Sequence, residues 1–579
     1  MKKIRYTTMI ILAAAIMMGA CAHHMGEIAG QRPEEKITSA DAYYHYSLGV
    51  NHELNDDYEK AIREYETTLR IDPWQPSVTV SLAQLYVRKD NITKAIELLE
   101  KSTIYHPDYL DTYLLLGSLY VKLQENDNAI KAFTHIIQSD PKRVEPYLYL
   151  SLLYRDSKDY EMAISSLREF LKLEPGNLMG HYYMAKIYAG MKRYDEAETW
   201  LKKTLNIKPF FESALIDLAL MYEMQNRTDD VIEVYRKLIE ANPFGLEARF
   251  KLGKAYLDLN RYGEAEKEFK EILSRDSTNL DARFSLGLVY FFEGANFDGA
   301  IQEFSSVLAK DPLNDRARYF LASSCEEQGE HGRAFREFQE IPPGSKLYES
   351  ARIQMGMILK DGGRVREAID LIKTALDKKG NSDELLGFLA ALHEEDGDVE
   401  NAEGILKRGL LFLPQSANLH YRLGVLYENA GRHEESMREM EEVLKIDEDN
   451  AEALNFIGYS YADRGIKLDE AQRMIQKALR LKPNNGFITD SLGWLYFKQN
   501  KMDLAIRYLE KALSLIPDDP TITEHLGDAY ARAGLYRKAL ATYRKALKLK
   551  PRDSETLMAK IKGVIEQAAR QGRRPEGKE

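Results

Sequence analysis

Between Leu110 and Arg143 the apolar positions come in two bursts of helical spacing. Tyr113, Leu116, Gly117 and Tyr120 stand at i, i+3, i+4 and i+7, one face of a 3.6-residue period, and Ala129, Phe133 and Ile136 repeat that face after a polar turn. The pattern predicts a pair of amphipathic helices. Gly117 and Ala129 are small where the two must approach, so their backbones are expected to cross closely with larger residues interlocking on either side. Pro141 ends the second helix, having no N–H to donate. The same 34-residue pattern recurs along the chain, with repeats beginning near residues 42, 76, 110, 144, 178, 212, 246, 280, 315, 349, 383, 417, 451, 486 and 520. Two single-residue insertions, one between Gly294 and Gly299 and one in ADRGIKLDEAQ, let fifteen repeats fill residues 42–553 without remainder.

An aromatic residue, Leu-Gly three residues on, then Tyr, Ala, an aromatic and Pro is the order seen in Leu110–Arg143, and it resembles the tetratricopeptide repeat. The resemblance implies an all-α fold, a right-handed superhelix (α-solenoid) of about fifteen helix-turn-helix repeats. Repeat 9 departs from the pattern, because Pro342-Pro343-Gly344 cuts its second helix about a turn short. A truncated helix offers less surface to its neighbour, which suggests a flexure between an N-terminal arm, 42–341, and a C-terminal arm, 342–553; the alternative is a loop variation in a rigid stack. Beyond Pro551, residues 554–570 place Leu557, Ile561, Val564, Ile565 and Ala568 on one face, as a helix capping the last repeat would. Residues 571–579 read as a disordered tail.

Composition sharpens the picture at the amino terminus. Residues 1–20 combine Lys2, Lys3 and Arg5 with an apolar run from Met9 to Ala20, shorter than the roughly 20 residues needed to span a bilayer, and read as a secretory leader. Met18-Gly19-Ala20-Cys21 resembles a bacterial lipobox, which implies acylation of Cys21 and cleavage before it. Ala22 in place of Asp implies the outer membrane, with the protein facing the periplasm. Residues 21–41 have no apolar period and would form a tether reaching about 25 Å. The net charge of −11 becomes −14 when the leader's three positive charges are removed, which argues against nucleic-acid binding. Two cysteines, one of them at the leader junction, give no disulfide framework.

No catalytic or metal motif is present: there is no HExxH, Walker loop, GxGxxG or GxSxG, and the histidines are scattered. Cys325 occupies a Tyr position of the repeat and reads as a buried apolar residue. No cofactor, metal or small-molecule substrate is expected, and the protein reads as a non-enzyme. What remains is surface. In tetratricopeptide repeats the second, fifth, ninth and twelfth positions of the first helix line the concave side. Here they supply Leu114, Val121, Leu148, Leu152, Tyr182, Ile216, Leu220, Phe250, Leu257, Phe284, Leu288, Phe291 and Tyr319, then Tyr421, Tyr459, Phe487, Trp494 and Phe497. Apolar groups at such positions imply a groove for a protein partner. The alternative is that neighbouring first helices bury them against one another. The Lys and Asn set with which some tetratricopeptide domains clamp a chaperone's carboxylate is absent.

The run NFIGYSYADRGIKLDEAQ, followed by DSLGWLYF, resembles proteobacterial outer-membrane tetratricopeptide lipoproteins, some of which are adaptors for carboxyl-terminal processing proteases. The resemblance implies an envelope scaffold holding protein partners. Export of envelope polysaccharide and secretion or pilus assembly are rival settings, and an enzyme with an unfamiliar site is the rival class.

Overall fold

A computed structural model describes residues 39–549 and 554–570. The expected leader, the Cys21 lipid site, nearly all of the tether and the 571–579 tail lie outside the described residues. The described chain forms 31 helices and no strand. First helices begin within two residues of every repeat start read from the sequence, as at Leu110–Lys122, Leu178–Gly190, Ala417–Asn429 and Pro520–Arg532. The helix Ser554–Arg570 follows the last repeat and buries Leu557, Val564 and Ala568.

Each repeat closes in the same way. Asn, Ser or Asp caps many of the first helices, for example Asn279 accepting from the Ala282 amide at 2.9 Å, so the orphan donors of the first turn are satisfied. The turn between the two helices places its central residue in the left-handed region at the fifteenth position of all fifteen repeats, from Asp56 to Gly534. Glycine, Asn and Asp tolerate that conformation and fill most of these positions. Gln124, Lys158 and Lys192 adopt it without that help. Both insertions fall in this turn, and the one in repeat 13 puts Lys467 left-handed as well.

The first helix then lies close against the second. A Cβ added to Gly117 would sit 2.7 Å from the ring of Phe133, and Gly49, Gly287 and Gly527 meet Tyr65, Phe304 and Tyr543 in the same way. Ala129 and Phe133 are fully buried beside this contact. Consecutive repeats are joined by a recurring polar staple. The Tyr222 hydroxyl donates to Glu198 of the preceding repeat at 2.8 Å, while Arg227 donates to the same carboxylate at 2.6 Å and lies over the tyrosine ring. Tyr427, Glu403 and Arg432 repeat the arrangement, and the hydrogen bond from Arg432, seconded by Lys407 and Tyr427, holds the Glu403 carboxyl down to about 2.

By contact density the chain divides into two compact units, residues 1–255 and 256–579, so the boundary falls within the first helix of repeat 7. The junction at 341/342 lies inside the second unit. There the second helix of repeat 9 is indeed short, His331–Gln339. Its freed carbonyls are taken by Arg352 from the next repeat, which donates to Phe338, Gln339 and Ile341 at 2.8–3.0 Å while lying over Tyr348. A buried guanidinium with three acceptors thus replaces the missing turn.

Candidate protein-binding surface

The expected groove residues differ in exposure. Ile216, Leu220 and Phe487 are exposed, at 43%, 46% and 57% of their full surface. Leu114, Val121, Leu148, Leu152, Leu288, Tyr319, Tyr421, Tyr459 and Phe497 are half-buried. Phe250 and Leu257 are half-buried as well. Tyr182 and Trp494 are buried, and here the structure corrects the sequence reading.

The correction has a geometric cause: in four pairs of successive repeats the sixth position of a first helix lies against the fifth position of the first helix before it. That offset of 35 residues, or 36 across an insertion, brings four pairs together. Tyr182 donates to Asp217 at 2.7 Å, and Lys186 adds a second contact to that carboxylate at 3.1 Å. Phe320 lies 6.1 Å from Phe284, ring centre to ring centre, and also contacts Phe291 and Phe304. His525 pairs with Asp490 at 2.9 Å. Arg422 lies over Gly387, where a Cβ would come 2.5 Å from Nε. The inner face is therefore partly spent on packing between repeats. Phe284 and Phe291, which the sequence left free for a partner, are half-buried members of this packing.

In repeats 13 to 15 the expected aromatic cluster turns inward. The Trp494 indole is stacked between Phe497, at 4.7 Å, and His525, at 4.0 Å, and donates through Nε1 to Asp463 at 3.0 Å. Lys498 reaches the backbone carbonyl and the carboxylate of Asp463, and Tyr459 lies 6.4 Å from the His525 ring. Burial by itself pushes the His525 pKa down, but the paired Asp490 carboxylate outweighs it and raises the pKa above the ordinary value. Spacings within one helix do not reveal this network, because its partners lie about a repeat apart in the chain.

No group of His, Cys, Asp and Glu among the described residues is arranged to hold a metal, and no described helix is long and apolar enough to cross a membrane. Cys325 is fully buried, and desolvation pushes its thiol up to about 11, which leaves it unreactive.

Two family models described as tetratricopeptide repeat match this chain, one at residues 80–144, 250–295, 289–346 and 491–554 and the other at 417–450. A third, described as anaphase-promoting complex, cyclosome, subunit 3, matches 124–204. A TPR repeat-containing protein of Pseudomonas aeruginosa, PA4667, is 31% identical over 189 residues, which span 32% of this chain and 32% of the relative. Among solved structures, an APC/C hetero-tetramer of Cut9 and Hcn1 is 16% identical with a TM-score of 0.37, over 91% of this chain and 97% of that one. The MamA protein is 24% identical with a TM-score of 0.28, over 29% and 92%.

Proposed function

From the premise that this chain is a stack of tetratricopeptide repeats, we propose that it is a non-enzymatic scaffold that holds protein partners against the inner face of its first helices. The observation that carries this reading is the exposure of Ile216, Leu220 and Phe487. Their neighbours at equivalent positions are drawn into packing between repeats, whereas these three leave apolar surface in water, which is typical of a partner site. The finer reading is a lipoprotein anchored through Cys21 to the periplasmic face of the outer membrane. Its motifs and short leader support that setting, and the DSLGW region supports an adaptor for a carboxyl-terminal processing protease in particular.

Two experiments test the reading. Cys21→Ser should leave the protein unprocessed or soluble; fractionation of this variant with outer membrane after high-salt washing would refute the anchor. Crosslinking in cells, followed by purification and mass spectrometry, should recover envelope proteins that an Ile216→Asp, Leu220→Asp double variant fails to recover. Both side chains are exposed, so the variant should fold. An unchanged set of partners would remove this face from the binding surface.

A further inference from the structure

A stack of helix pairs has two edges. One carries the turns between first and second helices; the other carries the ends of second helices and the starts of first helices. In repeats 1 and 2 the turn edge is polar, with Asn55-Asp56-Asp57 and Lys89-Asp90-Asn91, Leu54 apart. The other edge is apolar and aromatic. Tyr43 and Tyr44 at the start of Ala40–Leu54, Trp74 just after Tyr58–Ile71, and Ile104 and Tyr105 at the end of Ile92–Tyr105 each leave more than half of their surface in water. Ile71 is exposed beside them. In repeat 3 the equivalents of Ile104, Tyr105 and Trp74 are Gln138, Ser139 and Lys142, so the patch stops there.

This surface is ordered. The Trp74 indole meets Tyr105 edge to face, with ring centres 4.8 Å apart, and lies 6.0 Å from His106, so repeat 1 and repeat 2 hold each other's rings. Buried Asp72 fixes the loop, accepting from the Trp74 amide at 3.3 Å and from the Gln75 side chain at 2.9 Å. Other tyrosines nearby spend their hydroxyls on carboxylates, Tyr65 on Glu53 at 2.7 Å and Tyr120 on Glu100 at 2.6 Å. Among the described residues no protein group accepts from the Trp74 indole or from the hydroxyls of Tyr43, Tyr44 and Tyr105. An aromatic body with an unspent polar tip is the form enriched where acyl chains meet headgroups.

The start of the described chain lies at the same edge. Ser39 caps the first helix, and only residues 22–38 separate it from Cys21. A coil of that length reaches about 25 Å. Helices pack about 10 Å apart, so every member of the patch lies within roughly 30 Å of Ser39. The exposed charges that flank the patch in the chain, Asp41, Arg70 and Asp108, nearly cancel. Apolar contact therefore outweighs charge in what this edge can attract.

We propose that the edge formed by Tyr43, Tyr44, Ile71, Trp74, Ile104 and Tyr105 docks the first two repeats on a phospholipid bilayer, with Trp74 and Tyr105 at the level of the headgroups. The inference rests on the anchored reading above, which supplies the bilayer; it adds a second contact that fixes how these repeats meet it. Without a lipid the contact is weak and reversible, so dilution releases Cys21→Ser protein.

Two arms test it. In the first, the mature chain is coupled through Cys21 to a maleimide lipid in phosphatidylcholine vesicles; Cys325 is fully buried and does not compete. Brominated acyl chains should quench the tryptophan emission of the wild type and barely touch Trp74→Phe, which keeps only Trp200 and Trp494. Equal quenching of the two would overturn the proposal. In the second arm, mature Cys21→Ser protein is floated with the same vesicles. The pair Trp74→Ser, Tyr105→Ser should lower binding about ten-fold, Ile104→Ser should act in the same direction, and high salt should not. Phe210, exposed at the Trp74 position of repeat 5, is the control: an equal loss in Phe210→Ser would make the adhesion unspecific and overturn the proposal. A dimer that the paired substitution abolishes would also overturn it, since a second copy would then cover the edge. Cys21→Ser protein that stayed on membranes only while Trp74 and Tyr105 were present would support the edge and refute the anchor. Absence of vesicle binding and of quenching, with the anchor intact, would overturn the edge alone.

Discussion

The indole of Trp494 lies flat on the imidazole of His525, with ring centres 4.0 Å apart and planes 18° from parallel, and Asp490 holds the far side of that imidazole. Trp494, which looks from the sequence like a groove lining, thereby helps lock the first helices of repeats 14 and 15 together. Because Asp490 raises the His525 pKa against the opposing effect of burial, the folded protein favours the charged form. This contribution to stability is fully present below the unfolded histidine value of about 6.5 and is lost as pH rises through the higher folded value. Hydrogen-exchange protection factors in Pro520–Arg532 and Ser554–Arg570, corrected for the intrinsic base catalysis of exchange, should therefore fall above neutral pH. His525→Phe should abolish that dependence, and a pH profile identical to the wild type would show that the pair does not carry it.

Gly117→Leu should destabilise the protein by about 1–3 kcal/mol, since even a Cβ at this position meets the buried Phe133 ring at 2.7 Å and neither helix can retreat. The loss should stay within repeats 2 to 4, because each repeat touches chiefly its neighbours. Hydrogen exchange mapped along the chain checks both statements.

Lys158→Gly and Lys192→Gly should each stabilise by about 0.5–1 kcal/mol, despite the freedom glycine adds to the unfolded chain. Both lysines hold φ near +60°, where an L-residue is strained. The same change at Lys172, within a regular helix, should destabilise by a similar amount. Chemical denaturation of the three variants separates backbone strain from a general effect of removing lysine.

Truncation of Phe284 and Phe291 together should lower stability by about 2–5 kcal/mol, because Phe320 loses the two ring contacts that tie repeat 9 to repeat 8, and Phe304 loses its contact with Phe284 within repeat 8. This reverses the expectation that these side chains are dispensable for packing. A thermal melt in which the double alanine variant matches the wild type would restore them to the open surface.

The sequence by itself determined the repeat frame, the helix pairs and their turns. All of these depend on spacing within 34 residues, and Gly117 facing Phe133 could be read from size and period alone. The recurrent Gly, Asn or Asp at the fifteenth position was also legible, although only the backbone showed that Gln124, Lys158 and Lys192 share its conformation. What the tertiary structure decided is which inner-face residues are free. That depends on the lean of one first helix onto the next, an offset of about 35 residues whose outcome changes with each pair: Phe on Phe packs, His on Asp pairs, and Arg on Gly is left open. A helical period describes one helix at a time, so it assigns all these positions to one face and cannot tell a side chain covered by the next repeat from one that water still reaches.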